Sequence, residues 1–149
     1  MMKDEESVMA NLFETYNQII CEMGVDYHNA AVQLGLSDSE FNILYTLYIE
    51  GSGTNQSVLY KKSGVARSTV NSAIRKMEGK EWIYLVPGTG RNTRVMLTAA
   101  GEAAIAQTVG RIVDIEKQIF SDFSEEEQQT LIRLNRHFET HFKEAIKKL

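Results

Sequence analysis

The stretch from Thr54 to Gly101 constrains this chain most, because its residue pattern passes in order through helix, turn, helix, strand, tight loop, strand and a new helix start. Lys61, Lys62, Arg67, Arg75, Lys76, Lys80, Arg91 and Arg94 stand in it against Glu78 and Glu81 alone. That is a net +6 in a chain whose total is −4, which leaves −10 for the remainder. A chain that is acidic overall but basic in its one patterned motif concentrates positive potential on a face, and phosphate backbones are drawn to such faces.

The 149 residues fit one domain, or one domain with helical extensions, with enough apolar content for a sizeable core. No segment reaches the roughly 18 apolar residues needed to span a bilayer, and the acidic start MMKDEES is not a secretory signal, so a cytoplasmic protein without a membrane partner is expected. Cys21 is the only cysteine, which excludes an intrachain disulfide and a cysteine-built zinc site. His28, His137 and His141 are too few and too scattered to announce a metal, and no cofactor is called for.

Outside the basic stretch the pattern is helical. Val8, Leu12, Tyr16, Ile19, Ile20, Met23 and Tyr27 recur at three- and four-residue steps along one long helix. Ser37-Asp38-Ser39-Glu40 reads as a capping box opening a second helix with Phe41, Ile43, Leu44, Leu47 and Tyr48 as its apolar residues, and Gly51-Ser52-Gly53 stops it. Thr98 caps a further helix of about twenty residues, whose stripe runs through Ala104, Ile105, Thr108, Val109, Ile112, Ile115 and Ile119. Ser124 to Glu127 is a second capping box, and Leu131, Leu134, Phe138, Phe142, Ile146 and Leu149 carry the last helix. These stripes either pack on one another as a monomeric core or are covered by a partner chain; periodicity alone leaves both open.

Within the basic motif, Asn55 can cap a helix running to Lys62, and Ser63-Gly64 breaks it from the next. With Val70, Ala73, Ile74 and Met77 as the buried stripe, the helical wheel sends Ser68, Asn71, Ser72 and Arg75 outward and puts Arg67, Thr69 and Lys76 on the flanks. Small hydroxyls let a helix sink into the major groove, Asn and Arg can bond base edges in pairs, and Lys serves phosphates. Trp82 to Val86 and Arg94 to Thr98 read as two strands joined through Pro87-Gly88-Thr89-Gly90. Arg91, at or beside the tip, is expected either to probe the minor groove or to be an ordinary turn arginine in water, and Arg94 is expected to hold phosphate. Lys61, Lys62 and Lys80 are general phosphate or surface charges.

The order long helix, helix, helix-turn-helix with wing, and two long helices, with Ser63-Gly64-Val65 leading to Ser68-Thr69-Val70 and the signal Leu97-Thr98-Ala99-Ala100-Gly101, resembles the MarR family over nearly the whole chain. The resemblance implies a mainly α fold: a winged helix-turn-helix with a short β-hairpin wing, flanked by long N- and C-terminal dimerisation helices. In that scheme 1–149 is a single domain, with 1–36 and 99–149 as dimerisation helices and 37–98 as the DNA-binding region. It also implies a homodimer on a pseudo-palindromic double-stranded operator, usually a repressor, and an aromatic or phenolic effector near the first, second and fifth helices. Tyr16, Tyr27, Phe41, Tyr45 and Tyr48 are the candidate walls, although aromatic residues at helical spacing also serve simply as core. Three positions depart from the family pattern. Thr89 stands where an Asp commonly supports the wing Arg, Ala66 where a Ser or Thr commonly caps the recognition helix, and Glu81 where a Gly usually precedes the first wing strand.

An enzyme is not expected. There is no Gly-x-Ser-x-Gly and no phosphate loop, and Gly88-Thr89-Gly90 lies between strands rather than before a helix. The competing readings are a protein-interaction module on a winged-helix scaffold and a redox sensor through Cys21. The apolar neighbours Ile19, Ile20 and Met23 speak for a buried, inert thiol instead.

Overall fold

A computed structural model describes residues 2–90 and 92–149. Among them the chain runs α1 (Met2–Gln33), α2 (Asp38–Glu50), β1 (Thr54–Asn55), α3 (Gln56–Lys62), α4 (Arg67–Gly79), β2 (Ile83–Pro87), β3 (Thr93–Leu97), α5 (Ala99–Gln107), α6 (Val109–Ser121) and α7 (Glu125–Ile146). It divides into two compact units, 1–110 and 111–149. The fold is mainly helical with a small antiparallel sheet, as the pattern predicts.

In the first unit, α2 starts where the sequence places it. The Ser37 hydroxyl accepts from the Glu40 N–H at 3.2 Å, and the Glu40 carboxylate accepts from the Ser37 N–H at 2.9 Å, so two otherwise orphaned donors are satisfied reciprocally. Ile43, Leu44 and Leu47 of α2, Leu59 of α3, Val70, Ile74 and Met77 of α4 and Val95 of β3 are fully enclosed. Each such side chain contributes about 1.5–3 kcal/mol on leaving water. This core fixes α4 on α2 and α3, with its opposite face outward.

The sheet has the order β1-β3-β2, with Val95 paired to Thr54 on one side and Leu85 on the other. β1 was not foreseen; two residues are too short to show strand alternation. Its formation also corrects the role of Asn55. The residue occupies the position before α3 with extended backbone, but its side chain makes no capping bond, and its backbone stands in register with Arg94.

The wing is closed at its root by the Leu-Thr-x-x-Gly signal. The Thr98 hydroxyl accepts from the Gly101 N–H at 3.0 Å and donates to the Glu81 carbonyl at 2.6 Å, while the Thr98 N–H donates to the Trp82 carbonyl at 3.0 Å. A Cβ on Gly101 would collide with that same Trp82 carbonyl, so only glycine lets α5 start this close to β2.

The expected twenty-residue helix after Thr98 is two helices. Thr108 leaves helical geometry (φ −117°, ψ −99°), with its hydroxyl bonded back to the Ala104 carbonyl at 2.6 Å. Such a bond from a β-branched hydroxyl residue loosens the turn, but Thr15 and Thr46 make the same bond inside unbroken α1 and α2, so it does not by itself account for the break.

In the second unit, Ser124 and Glu127 form the other foreseen capping box, at 3.2 and 2.8 Å. Leu131, Leu134, Phe138, Phe142 and Ile146 line α7, and all are exposed. No helix among the described residues is long and apolar enough to cross a membrane.

Candidate nucleic-acid interface

α4 buries Val70, Ala73, Ile74 and Met77, as the helical wheel requires, and leaves Arg67, Ser68, Thr69, Ser72, Arg75 and Lys76 exposed. Its N-terminus carries no side-chain cap, because Ala66 has no acceptor to offer. The turn before it is made by Gly64 at φ +68°, a left-handed conformation in which glycine carries no Cβ penalty. The Ser72 hydroxyl donates to the Ser68 carbonyl at 3.1 Å, so it lies back along the helix while retaining its lone pairs.

Two of the expected contact residues are tied to α3. The Arg67 guanidinium sits 4.6 Å from the centre of the Tyr60 ring, a cation–π arrangement that holds a flexible side chain at the helix entrance. Asn71 is half-buried, and its carbonyl oxygen accepts from the Tyr60 hydroxyl at 2.5 Å and from Gln56 Nε2 at 3.0 Å. Gln56 Nε2 also donates to the Tyr60 oxygen at 2.7 Å. The sequence reading missed Gln56 and Tyr60; their i, i+4 spacing on α3 was the available signal.

At the other end of α4, Lys76 does not stand free for phosphate. Its ammonium lies 3.1 Å from Glu40, and Lys80 approaches the same carboxylate oxygen at 3.4 Å while sitting 4.4 Å from the centre of the Trp82 ring. Glu40 is 3% exposed. Burial alone would push its carboxyl up; the Ser37 N–H, the Lys76 ammonium and the charge of Lys80 outweigh this and hold it at about 2, against an ordinary 4.5. One carboxylate therefore caps α2 and pins the last turn of α4, a second role that a capping-box pattern does not reveal.

On the wing, Arg94 is exposed and its Nε donates to the Gly53 carbonyl at 3.1 Å. With Asn55, Pro87, Gly88, Thr89 and Asn92 it lines an open cleft of about 490 Å³. Arg91, the expected minor-groove probe, lies outside the described residues. Glu81, which stands where glycine was expected, takes the left-handed backbone that glycine would favour, at φ +58°.

The candidate effector residues are only partly gathered. Tyr27 and Phe41 meet edge to face at 6.1 Å, and Phe41 stacks on Tyr45 at 6.1 Å. A crevice of about 150 Å³ opens between Gly24, Tyr27, His28, Asp38, Phe41 and Asn42, small beside the roughly 300–1,000 Å³ of ordinary ligand pockets. Tyr16 and Tyr48, both half-buried, are not in its lining. His28, to which the sequence reading gave no role, sets its Nδ1 at 2.9 and 3.0 Å from the two Asp38 oxygens.

Cys21 is exposed on α1, not buried as its neighbours suggested; Ile19, Ile20 and Met23 are exposed with it. The rings of His137 and His141 lie 4.0 Å apart, centre to centre, tilted by 32°, and no group of three or more His, Cys, Asp and Glu among the described residues is arranged to hold a metal.

Comparison with known proteins places this geometry in context. A family model described as the MarR family matches residues 36–89. The HTH-type transcriptional regulator PecS of Dickeya dadantii (strain 3937) is 34% identical over 110 residues, which cover 71% of this chain and 66% of PecS, just under two thirds of that protein. Among solved structures, NMB1585, a MarR family regulator from Neisseria meningitidis, superposes with a TM-score of 0.75 at 21% identity, covering 93% of this chain and 96% of that one. The S. aureus MepR–DNA complex gives a TM-score of 0.62 at 22% identity, covering 85% and 95%.

Proposed function

The chain belongs to the MarR family of transcriptional regulators, and from that premise we propose that it is a cytoplasmic, sequence-specific DNA-binding repressor acting as a homodimer on a pseudo-palindromic operator. The observation that carries the reading is α4: its apolar face is enclosed by α2, α3 and the sheet, while Arg67, Ser68, Ser72 and Arg75 remain exposed on the other face, next to a wing that offers Arg94. A helix presented in this way enters the major groove with small side chains leading and long cations on its edges.

Residues 37–98 form the DNA-binding region, and 1–36 with 99–149 supply the dimerisation helices. Support for the second assignment is apolar surface. Val8, Leu12, Phe13 and Ile19 of α1 and, separately, Leu131, Leu134, Phe138 and Phe142 of α7 are exposed in the single chain, and an apolar stripe left open along a helix is suited to an interface. A two-fold dimer presents two copies of α4 to half-sites about one helical turn, roughly 10 base pairs, apart. An aromatic or phenolic effector is the class that the family resemblance implies, and Tyr27 and Phe41 would give it an aromatic wall once the crevice opens beyond its present volume.

Selection of bound sequences from random double-stranded DNA by the full chain tests the reading. Enrichment of one two-fold-related sequence, released by small aromatic acids in a follow-up screen, is the expected result. Failure to enrich any sequence moves the chain to the competing class, a protein-interaction module on the same scaffold.

A further inference from the structure

Base readout by an asparagine depends on which of its two polar atoms are free. The paired contact that selects adenine uses both: the amide nitrogen donates to N7, and the amide oxygen accepts from the N6 amino group. In this chain the oxygen of Asn71 is already occupied. A carbonyl oxygen has two lone pairs, and both are taken, one by the Tyr60 hydroxyl at 2.5 Å and one by Gln56 Nε2 at 3.0 Å. The donor side is equally committed: Gln56 spends its two N–H groups on Tyr60 and Asn71, so the three side chains close a ring of bonds that cannot rotate singly.

The nitrogen of Asn71 has the opposite status. It carries no bond to the protein, and no buried side-chain nitrogen or oxygen among the described residues is left without a partner, so Nδ2 opens to solvent. It lies on the helix whose outer face carries Ser68, Ser72 and Arg75.

We propose that α3 converts Asn71 into a donor-only reader, so that the base it faces presents an acceptor edge, guanine ahead of thymine, and adenine is rejected. Guanine leads because its O6 and N7 both accept and the Asn71 amide has two hydrogens to give; thymine offers O4 alone. Adenine brings an N6 donor against an oxygen with no lone pair left, and a buried donor without an acceptor is what discriminates. The inference rests on the DNA-binding reading and names the base class that reading leaves open.

The test uses the full-length protein and random double-stranded DNA. Selection with the wild type and with Asn71→Ala identifies the operator position whose preference depends on Asn71; guanine, or thymine second, is expected there in the wild type. Tyr60→Phe then removes one donor but keeps the ring beneath Arg67, and Gln56→Ala removes the other donor by an independent route. Either variant frees a lone pair, and discrimination against adenine at that position falls by about tenfold, the scale of one bidentate base contact. Adenine or cytosine at the Asn71-dependent position, or no position that responds to Asn71→Ala, overturns the proposal while leaving the DNA-binding reading intact. Absence of any enriched sequence with the wild type overturns both.

Discussion

Helices α4 and α7 are both amphipathic, yet the chain treats them in opposite ways. On α4 the apolar face meets its own chain, with Val70 and Met77 at 0% exposure. On α7 the apolar stripe is open, with Phe138 at 47% and Phe142 at 56%. The same kind of sequence pattern therefore has two meanings. Where the core absorbs the apolar face, the polar face is what remains to act, and on α4 it offers hydroxyls, amides and guanidiniums suited to a groove. Where the apolar face stays exposed among the described residues, as on α7, that face is itself a surface left to cover, and the proposed dimer covers it with a second copy.

The sharpest way to break this contrast is to remove one side chain from each helix. Met77→Ala empties an enclosed site and should cost about 2–5 kcal/mol, lowering the thermal midpoint at every protein concentration. Phe138→Asp should leave the helical signal in place and yield a monomer by sedimentation, with a midpoint that no longer rises with concentration, because coupling between association and folding is lost. If the Phe138 variant instead loses cooperative unfolding as the Met77 variant does, α7 is core and the contrast fails.

A smaller effect separates what fixes α4 from what it presents. Glu40 has a pKa of about 2 in the folded chain against an ordinary 4.5, so its contribution is complete above about pH 4.5 and is lost as pH falls toward 2. That difference corresponds to stability on the order of 3 kcal/mol. Glu40→Gln should be less stable at neutral pH and should show a flatter fall in stability on acidification, followed by denaturant unfolding at a series of pH values. Parallel acid profiles for the two proteins would remove Glu40 as the pin for Lys76 and Lys80.

The smallest effect concerns the root of the wing. Glu81 holds φ +58°, where a Cβ costs about 1 kcal/mol and glycine none. Glu81→Gly should therefore raise the melting temperature by about 2–4 °C. A lower melting temperature would show that the Glu81 side chain offsets its backbone strain.

The features legible in the sequence were those carried by short stretches of chain. Ser37 with Glu40, Ser124 with Glu127, and Thr98 with Gly101 are each three residues apart, and each forms the cap its spacing implies. The buried face of α4 follows from a period that four residues suffice to display. What escaped depends on elements crossing in space. The Asn71 network joins residues eleven and fifteen positions apart, and the Lys80 contact with Glu40 spans forty; neither exists until α3 and α2 have docked on α4. β1 and the break at Thr108 escaped for another reason: two residues of strand and one non-helical residue are below the length at which periodicity speaks.

The central claim, that α4 and its wing form a DNA-reading face, meets its most direct test in salt dependence. The affinity of the full chain for its selected sequence and for a random duplex of equal length is measured from about 50 to 200 mM salt. The expected result is a steep linear fall of log affinity with log salt on both duplexes, with the selected sequence held at least about a thousandfold more tightly at physiological salt. Equal affinity for the two duplexes, or binding indifferent to salt, would contradict it.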